Sequence, residues 1–251
     1  MRTRLGVFGV LLLWGLASVA GASLRQDLAK AAEKQKIAFV LVSEPAAANV
    51  AEARDLIRLA MKQVKESTML ELDRADPANA DLVAQYRLAG APIPLILVIA
   101  RNGTLAGGLI AANGTAERLV AMVPSPKKAE IMQCLQSGEA VFIEVSRKGM
   151  RGQAAALATC TAACDQAGGK SVVVAIDMDD PAEVPFLTSL KVDLASADPV
   201  ILVVNSQGQI TGNYTGAVAA ADLVQAAAKK AGGCCPSTVA GGSQSCAPPK
   251  K

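Results

Sequence analysis

The chain has 251 residues, 25 Lys and Arg against 22 Asp and Glu, a formal net charge of +3, and no His. The missing His excludes a Ser-His-Asp triad, a Cys-His pair, an HExxH zinc site and a His-bound haem. The near balance of charge offers no basic field for phosphate contacts, so nucleic acid is not an expected partner. The length fits one large domain or two small ones. Aromatics are scarce, with four Phe, two Tyr and one Trp, and six Cys are the unusual feature that remains.

Residues 1–22 read as a signal peptide. Arg2 and Arg4 form a basic n-region, Leu5 to Leu16 an apolar core, and Ala20-Gly21-Ala22 a small-residue cleavage site. The mature chain is expected to begin at Ser23, losing Trp14 and two cations, which leaves a net charge of +1. The apolar run is short for a membrane span, and no later stretch is long enough for one. The short, Ala-rich signal points to a periplasmic or secreted protein, in a space where disulfides are permitted.

The rest is one unit written twice. Ile37-Ala-Phe-Val-Leu-Val-Ser43 matches Ala140-Val-Phe-Ile-Glu-Val-Ser146, and Met69-Leu-Glu-Leu-Asp73 matches Val173-Val-Ala-Ile-Asp177. Asp76-Pro77 matches Asp180-Pro181, Pro94-Leu-Ile-Leu-Val-Ile99 matches Pro199-Val-Ile-Leu-Val-Val204, and Asn102-Gly103 matches Gln207-Gly208. The offset is 103 to 105 throughout, a period too long for a solenoid and right for a small domain.

In the first unit the pattern predicts a helix over 24–34, a strand over 37–43 and a long helix over 47–65. A strand at 68–73, a helix at 78–88 opened by Asp76-Pro77, strands at 95–100 and 104–110 around Asn102-Gly103, and a helix at 115–123 complete it. The second unit repeats this as a helix at 127–137, a strand at 140–146, a helix at 150–167 and a strand at 171–177. A short helix at 182–190, strands at 199–204 and 209–214, and a helix at 218–231 follow. Pro124 and Pro126 mark the boundary, giving domains at 23–124 and 125–232 and a flexible Cys-containing tail at 233–251. Most strands are nearly continuous apolar runs, so helices should cover both faces of each sheet. The fold class is α/β, as two tandem three-layer domains with central mixed sheets.

This order and punctuation resemble the thioredoxin fold: a strand ending in Asp, a short helix, a Pro opening the next strand, a turn with Gly, and a final helix. The resemblance covers nearly all of 24–231 in two copies. It implies that Pro94 and Pro199 stand at the family's cis-proline positions, facing the active site. It also implies a Cys-x-x-Cys at the turn entering the long helix, where a helix N-terminus stabilises a thiolate. Neither unit has one. The turns are Glu44-Pro-Ala-Ala-Ala-Asn-Val50 and Arg147-Lys-Gly-Met-Arg-Gly-Gln153. Ordinary dithiol exchange is excluded there. Redox-inactive domains of this kind serve some relatives for substrate binding or as scaffolds.

Any remaining redox or metal chemistry falls to the cysteines. Cys134 shares a helix face with Ile131 and reads as a structural thiol. Cys160 and Cys164 share a face of the long second-unit helix, about three turns past the family's thiol position, and read as buried thiols or an internal bridge. Copper-chaperone relatives carry a Cys-x-x-x-Cys at the active-site turn, completed by a His; here the pair is displaced and the His missing. Cys234, Cys235 and Cys246 lie in the tail. They invite disulfides within the tail or to Cys160 or Cys164, or a soft-metal site built from these five thiols, with Cu(I) the natural ion.

Asn102, Asn113 and Asn213 match the glycosylation pattern, the first at an expected exposed hairpin, but the bacterial look of the signal argues against its use. Asp73 and Asp177 read as capping or loop residues, and no Gly-rich phosphate loop follows either first strand. Three readings follow: a redox-inactive binding or scaffold module for a protein or peptide with no cofactor, a thiolate-based copper carrier, or an atypical thiol-disulfide oxidoreductase.

Overall fold

The computed structural model describes residues 23–230. The expected export signal and the tail with Cys234, Cys235 and Cys246 lie outside the described residues. The first unit runs α1 (Leu24–Glu33), β1 (Ile37–Ser43), α2 (Val50–Gln63), β2 (Ser67–Asp73), a single-turn helix (Pro77–Asn79), α3 (Ala80–Gln85), β3 (Leu95–Ile99), β4 (Leu105–Ile110) and α4 (Ala116–Ala121). The second runs α5 (Pro126–Gln136), β5 (Ala140–Ser146), α6 (Gln153–Gln166), β6 (Ser171–Asp177), α7 (Val184–Ser189), β7 (Val200–Val204), β8 (Ile210–Thr215) and α8 (Ala220–Ala228).

Two four-stranded sheets result, ordered β2-β1-β3-β4 and β6-β5-β7-β8. In each, the first two strands are parallel and the hairpin adds two antiparallel strands. The parallel register is the same twice over: Ile37 faces Ser67 and Ser43 faces Asp73, while Ala140 faces Ser171 and Ser146 faces Asp177. This is the thioredoxin-like fold in tandem.

Burial on both faces explains the apolar runs. Along β1, Ile37, Phe39 and Leu41 pack with Ala53 and Ile57 of α2 and Leu119 of α4. The alternate residues Ala38, Val40 and Val42 pack with Ala31 of α1 and Leu82 of α3. In the second unit Phe142 meets Ala156, Cys160 and Ala163 of α6 and Leu223 of α8. Val141, Ile143 and Val145 meet Ile131 of α5 and Leu187 of α7.

Local chemistry sets the helix starts. Ser23 and Gln26 form a capping box on α1, and Thr115 caps α4. Ser125 caps α5 with Pro126 as its first residue. The expected start of the long helix at 47 moves to Val50. Ala47 N–H instead donates to Glu44 O (3.0 Å), closing a turn, and Asn49 enters the helix in the left-handed region at φ 62°. Gly152 does the same for α6 at φ 86°.

The two units touch at the first hairpin. Asn102 Nδ2 donates to Ala129 O (2.9 Å) and Gln133 Oε1 (3.1 Å) of α5, and Gln136 Nε2 donates to Leu105 O (2.9 Å). The exposed Asn102 expected from the sequence is therefore part of an inter-unit contact.

An ion pair pins the loop ahead of each Pro-led strand, with its signs exchanged between units. In the first, Arg74 beyond β2 donates to Glu44 Oε1 (2.6 Å), Leu88 O (2.9 Å) and Ala91 O (2.7 Å). In the second, Arg147 beyond β5 donates to Asp179 Oδ1 (3.0 Å), to Ser196 O (3.1 Å) and to Leu194 O. Glu44 and Arg147 occupy matching positions, while Asp179 matches Ala75, one residue beyond the Met178 that stands at the place of Arg74. Either arrangement lets one guanidinium satisfy loop carbonyls that would otherwise be left without donors. Arg74→Asp alone should cost about 2–3 kcal/mol by loss of charged hydrogen bonds beside Glu44. Glu44→Arg with Arg74→Asp should recover at least about 1 kcal/mol of that in a double-mutant cycle read by urea unfolding.

Candidate functional site

The matching feature of both units is the carboxyl end of the parallel strand pair, where the turn enters the long helix and the Pro-led strand begins. Pro94 and Pro199 are both buried there. Pro94 O accepts from Ala111 N (3.0 Å) and Pro199 O from Gly216 N (2.9 Å), so both open their strands in the same way. They differ on the other side. Ile93–Pro94 is the one cis peptide bond among the described residues, so Pro199 holds its position with a trans bond. Ser196 Oγ donates to Asp198 O (2.7 Å) and accepts from Asp198 N–H (3.2 Å), tying the peptide ahead of Pro199 to its own loop. Ile93 has no such tie: among the described residues neither its N–H nor its C=O takes a hydrogen bond.

A cleft of about 230 Å³ lies beside Pro199, lined by Arg151, Thr159, Asp198 and Val218 among others. Gly152 lies against Pro199 at its edge, in a left-handed conformation (φ 86°) that favours glycine. Asp73 and Asp177 act as turn residues, as expected: their Oδ1 atoms accept from Ala75 N (2.9 Å) and Asp179 N (3.0 Å).

The described cysteines are free thiols away from these turns. Cys160 is fully buried and packs with Phe142, Ala156 and Ala163. Burial first, then the nearby Glu144 and Cys164, pushes its thiol up to about 12. Cys164 is half-buried against the same cluster. Cys134 is half-buried beside the Ile131 cluster, its thiol raised by desolvation and by Glu139 and Glu130. Among the described residues no His, Cys, Asp or Glu groups converge in threes to hold a metal ion. Of the five thiols considered for a soft metal, Cys160 and Cys164 sit in the second core, and Cys234, Cys235 and Cys246 fall outside the described residues.

The residue that sequence reasoning passed over is Glu144. It is 2 % exposed, in mid-strand on the α6 face, and matches Leu41. Burial pushes its carboxyl above the usual range, and the adjacent Ser146 hydroxyl draws it part of the way back. Neither Glu144 Oε1 nor Ser146 Oγ has a partner in hydrogen-bonding geometry. Its signal is plain: it is the one charge inside the apolar run Ala140–Ser146.

Neither a family model nor a curated protein matches the chain. Solved structures do. The first two thioredoxin domains of Saccharomyces cerevisiae Eps1p share 12% identity over 80% of this chain and 95% of theirs, with a TM-score of 0.30. The NTD_N/C domain of alkylhydroperoxide reductase AhpF from Enterococcus faecalis shares 13% over 82% of this chain and 98% of its own, at 0.29. Human ERp44 in its zinc-bound form shares 11% over 79% of this chain and 55% of its own, at 0.33. The fold itself rests on strand order and register, and the overlaps carry nothing about activity.

The Cys160 environment makes a direct prediction. A thiolate is the reactive form, and both burial and Glu144 oppose it. Iodoacetamide at neutral pH should leave Cys160 unmodified in the native chain and label it fully in denaturant, as read by peptide mass mapping. Because the folded thiol lies above its unfolded value, the native state holds the proton longer. Stability should therefore fall as the pH rises from about 9 toward 12.

Proposed function

We propose that the chain is a redox-inactive tandem thioredoxin-like protein that binds a protein or peptide, as an exported binding or scaffold module. The observation that carries this reading is the chemistry of the two helix-entry turns. Neither Glu44–Asn49 nor Arg147–Gly152 holds a thiol, and the described thiols sit in or against the cores. A helix N-terminus there has no sulfur to activate.

The first unit supplies a binding edge. Ile93 presents a free N–H and C=O beside Pro94 and is half-buried. Arg74 holds Leu88 O and Ala91 O, so the segment is fixed in place before a ligand arrives. A pre-positioned segment with unpaired backbone groups accepts a peptide's backbone at low ordering cost. In the second unit Ser196 occupies the equivalent Asp198 groups, so the two units differ in what they offer.

Two measurements test this. In an insulin-reduction assay with dithiothreitol as reductant, wild type and Cys160→Ala/Cys164→Ala should both stay at the uncatalysed rate. Peptides selected by phage display on the full chain should slow amide exchange at Ile93 by at least about tenfold, the signature of a newly formed backbone hydrogen bond. Cysteine-dependent insulin reduction, or selected peptides that leave Ile93 exchange unchanged, would contradict the reading.

A further inference from the structure

A second cleft, of about 360 Å³, opens at the carboxyl ends of β5 and β6, lined by Glu144, Ser146, Lys148, Gln153, Asp177 and Asp180. It is separate from the Ile93 edge and has its own polar chemistry. Several of its charged groups are already engaged. Asp177 and Asp180 each use one oxygen on a backbone N–H, at 3.0 and 2.9 Å. Glu183, also on the wall, accepts from Ser125 Oγ (2.6 Å) and Lys127 N (2.8 Å), and Lys127 Nζ pairs with Glu130 (2.8 Å). What remains on the inner wall is Glu144 Oε1 and Ser146 Oγ, both buried and both without a partner. With Glu144 ionised, the carboxylates of Glu144, Asp177, Asp180 and Glu183 outnumber the ammonium groups of Lys127 and Lys148 by two.

The first unit shows how the same place is completed internally. Its cleft, of about 520 Å³, contains Arg54, whose Nε lies 2.7 Å from Glu71 Oε1. The guanidinium is the cation of that cleft, and the strand beneath it carries Leu41, not an acid. In the second unit the position of Arg54 is taken by Leu157, that of Glu71 by Ala175, and that of Leu41 by Glu144. The acid has moved to the inner wall and the internal cation has gone. A bare carboxylate at this depth is costly unless a charged donor reaches it. Among the described residues no three His, Cys, Asp or Glu groups converge as a metal-ligand set. An ammonium group is compact and carries its own N–H donors, enough to meet an acid oxygen and a hydroxyl together.

We propose that this cleft binds a small primary ammonium group, with Glu144 Oε1 and Ser146 Oγ accepting its hydrogens. The groups facing Glu144 are Cys160 from α6, Asp177 from β6, Asp180 and Glu183 beyond β6, Lys127 from α5 and Lys148 from the turn before α6. Since the bound cation favours the ionised carboxyl, and burial holds Glu144 protonated to higher pH, affinity rises as the pH climbs through the Glu144 titration.

The test is a backbone NMR titration of the full chain with ethylammonium chloride, with tetramethylammonium chloride as the cation that has no N–H. Wild type should give saturable shifts over 144–153 and 175–180 with the first salt and none with the second. Glu144→Gln should weaken the response by at least about tenfold, the size expected for losing one charged hydrogen-bond partner. Ser146→Ala should weaken it as well, which keeps the test decisive if Glu144→Gln fails to fold. No saturable shift in wild type, an equal response to tetramethylammonium, or unchanged binding in a folded Glu144→Gln would overturn the proposal.

Discussion

Everything in this molecule is arranged around two strands that have no face turned to water. β1 and β5 lie between a parallel and an antiparallel neighbour, with helices above and below. Residues Ile37 to Val42 are each at most 1 % exposed. Such a strand must be apolar along its whole length, because a polar group there loses water on every side. β1 obeys this without exception up to its terminal Ser43. β5 obeys it everywhere but at Glu144 and the terminal Ser146. Since the terminal Ser146 matches Ser43, the departure is Glu144 alone, two residues from the turn where the fold opens its clefts.

The two units keep one framework and distribute their polar groups differently on it. Leu41 and Ile57 pack together in the first core, whereas Glu144 and Cys160 stand at those positions in the second. The loop-pinning pair is Glu44 with Arg74 in one unit and Arg147 with Asp179 in the other, and both hold the carbonyls of the segment before a Pro-led strand. The first unit leaves Ile93 open and pairs Arg54 with Glu71 in its cleft. The second closes Asp198 with Ser196 and leaves its cleft with unpaired acceptors. The first unit thus offers an open edge at Ile93, and the second a buried acid at Glu144.

Much of this is legible in the sequence, for reasons particular residues make clear. The repeat near 104 residues places β1 and β5 at their observed ends, since strands covered on both faces announce themselves as unbroken apolar runs. Long helices are read less well at their starts. Glu44–Ala47 folds as a turn because its backbone closes on itself before Asn49 can begin α2. α6 is so rich in Ala that apolar spacing cannot say which way Cys160 points. The alignment to Ile57 says so at once. Glu144 is visible by the same comparison with Leu41, but its importance depends on the depth of β5 and on the unpaired Ser146, which only the packed structure reveals. The inter-unit contact of Asn102 is likewise beyond any local pattern, because a hairpin tip gives no sign of what it will touch.

The second unit retains an acid in its core, and its burial opposes the ionised form at the expense of stability. The most direct measurement is urea unfolding of wild type and Glu144→Leu, which installs the residue of the first unit, at about pH 4.5 and about pH 7. With the folded Glu144 carboxyl raised, the native state binds the extra proton, and its stability falls as the pH rises through that window. Glu144→Leu should therefore be more stable than wild type by about 1–3 kcal/mol at neutral pH, with the gap shrinking toward the acid end. A Glu144→Leu chain that is less stable than wild type by the same amount at both pH values would show that Glu144 is a satisfied structural residue and would contradict the account.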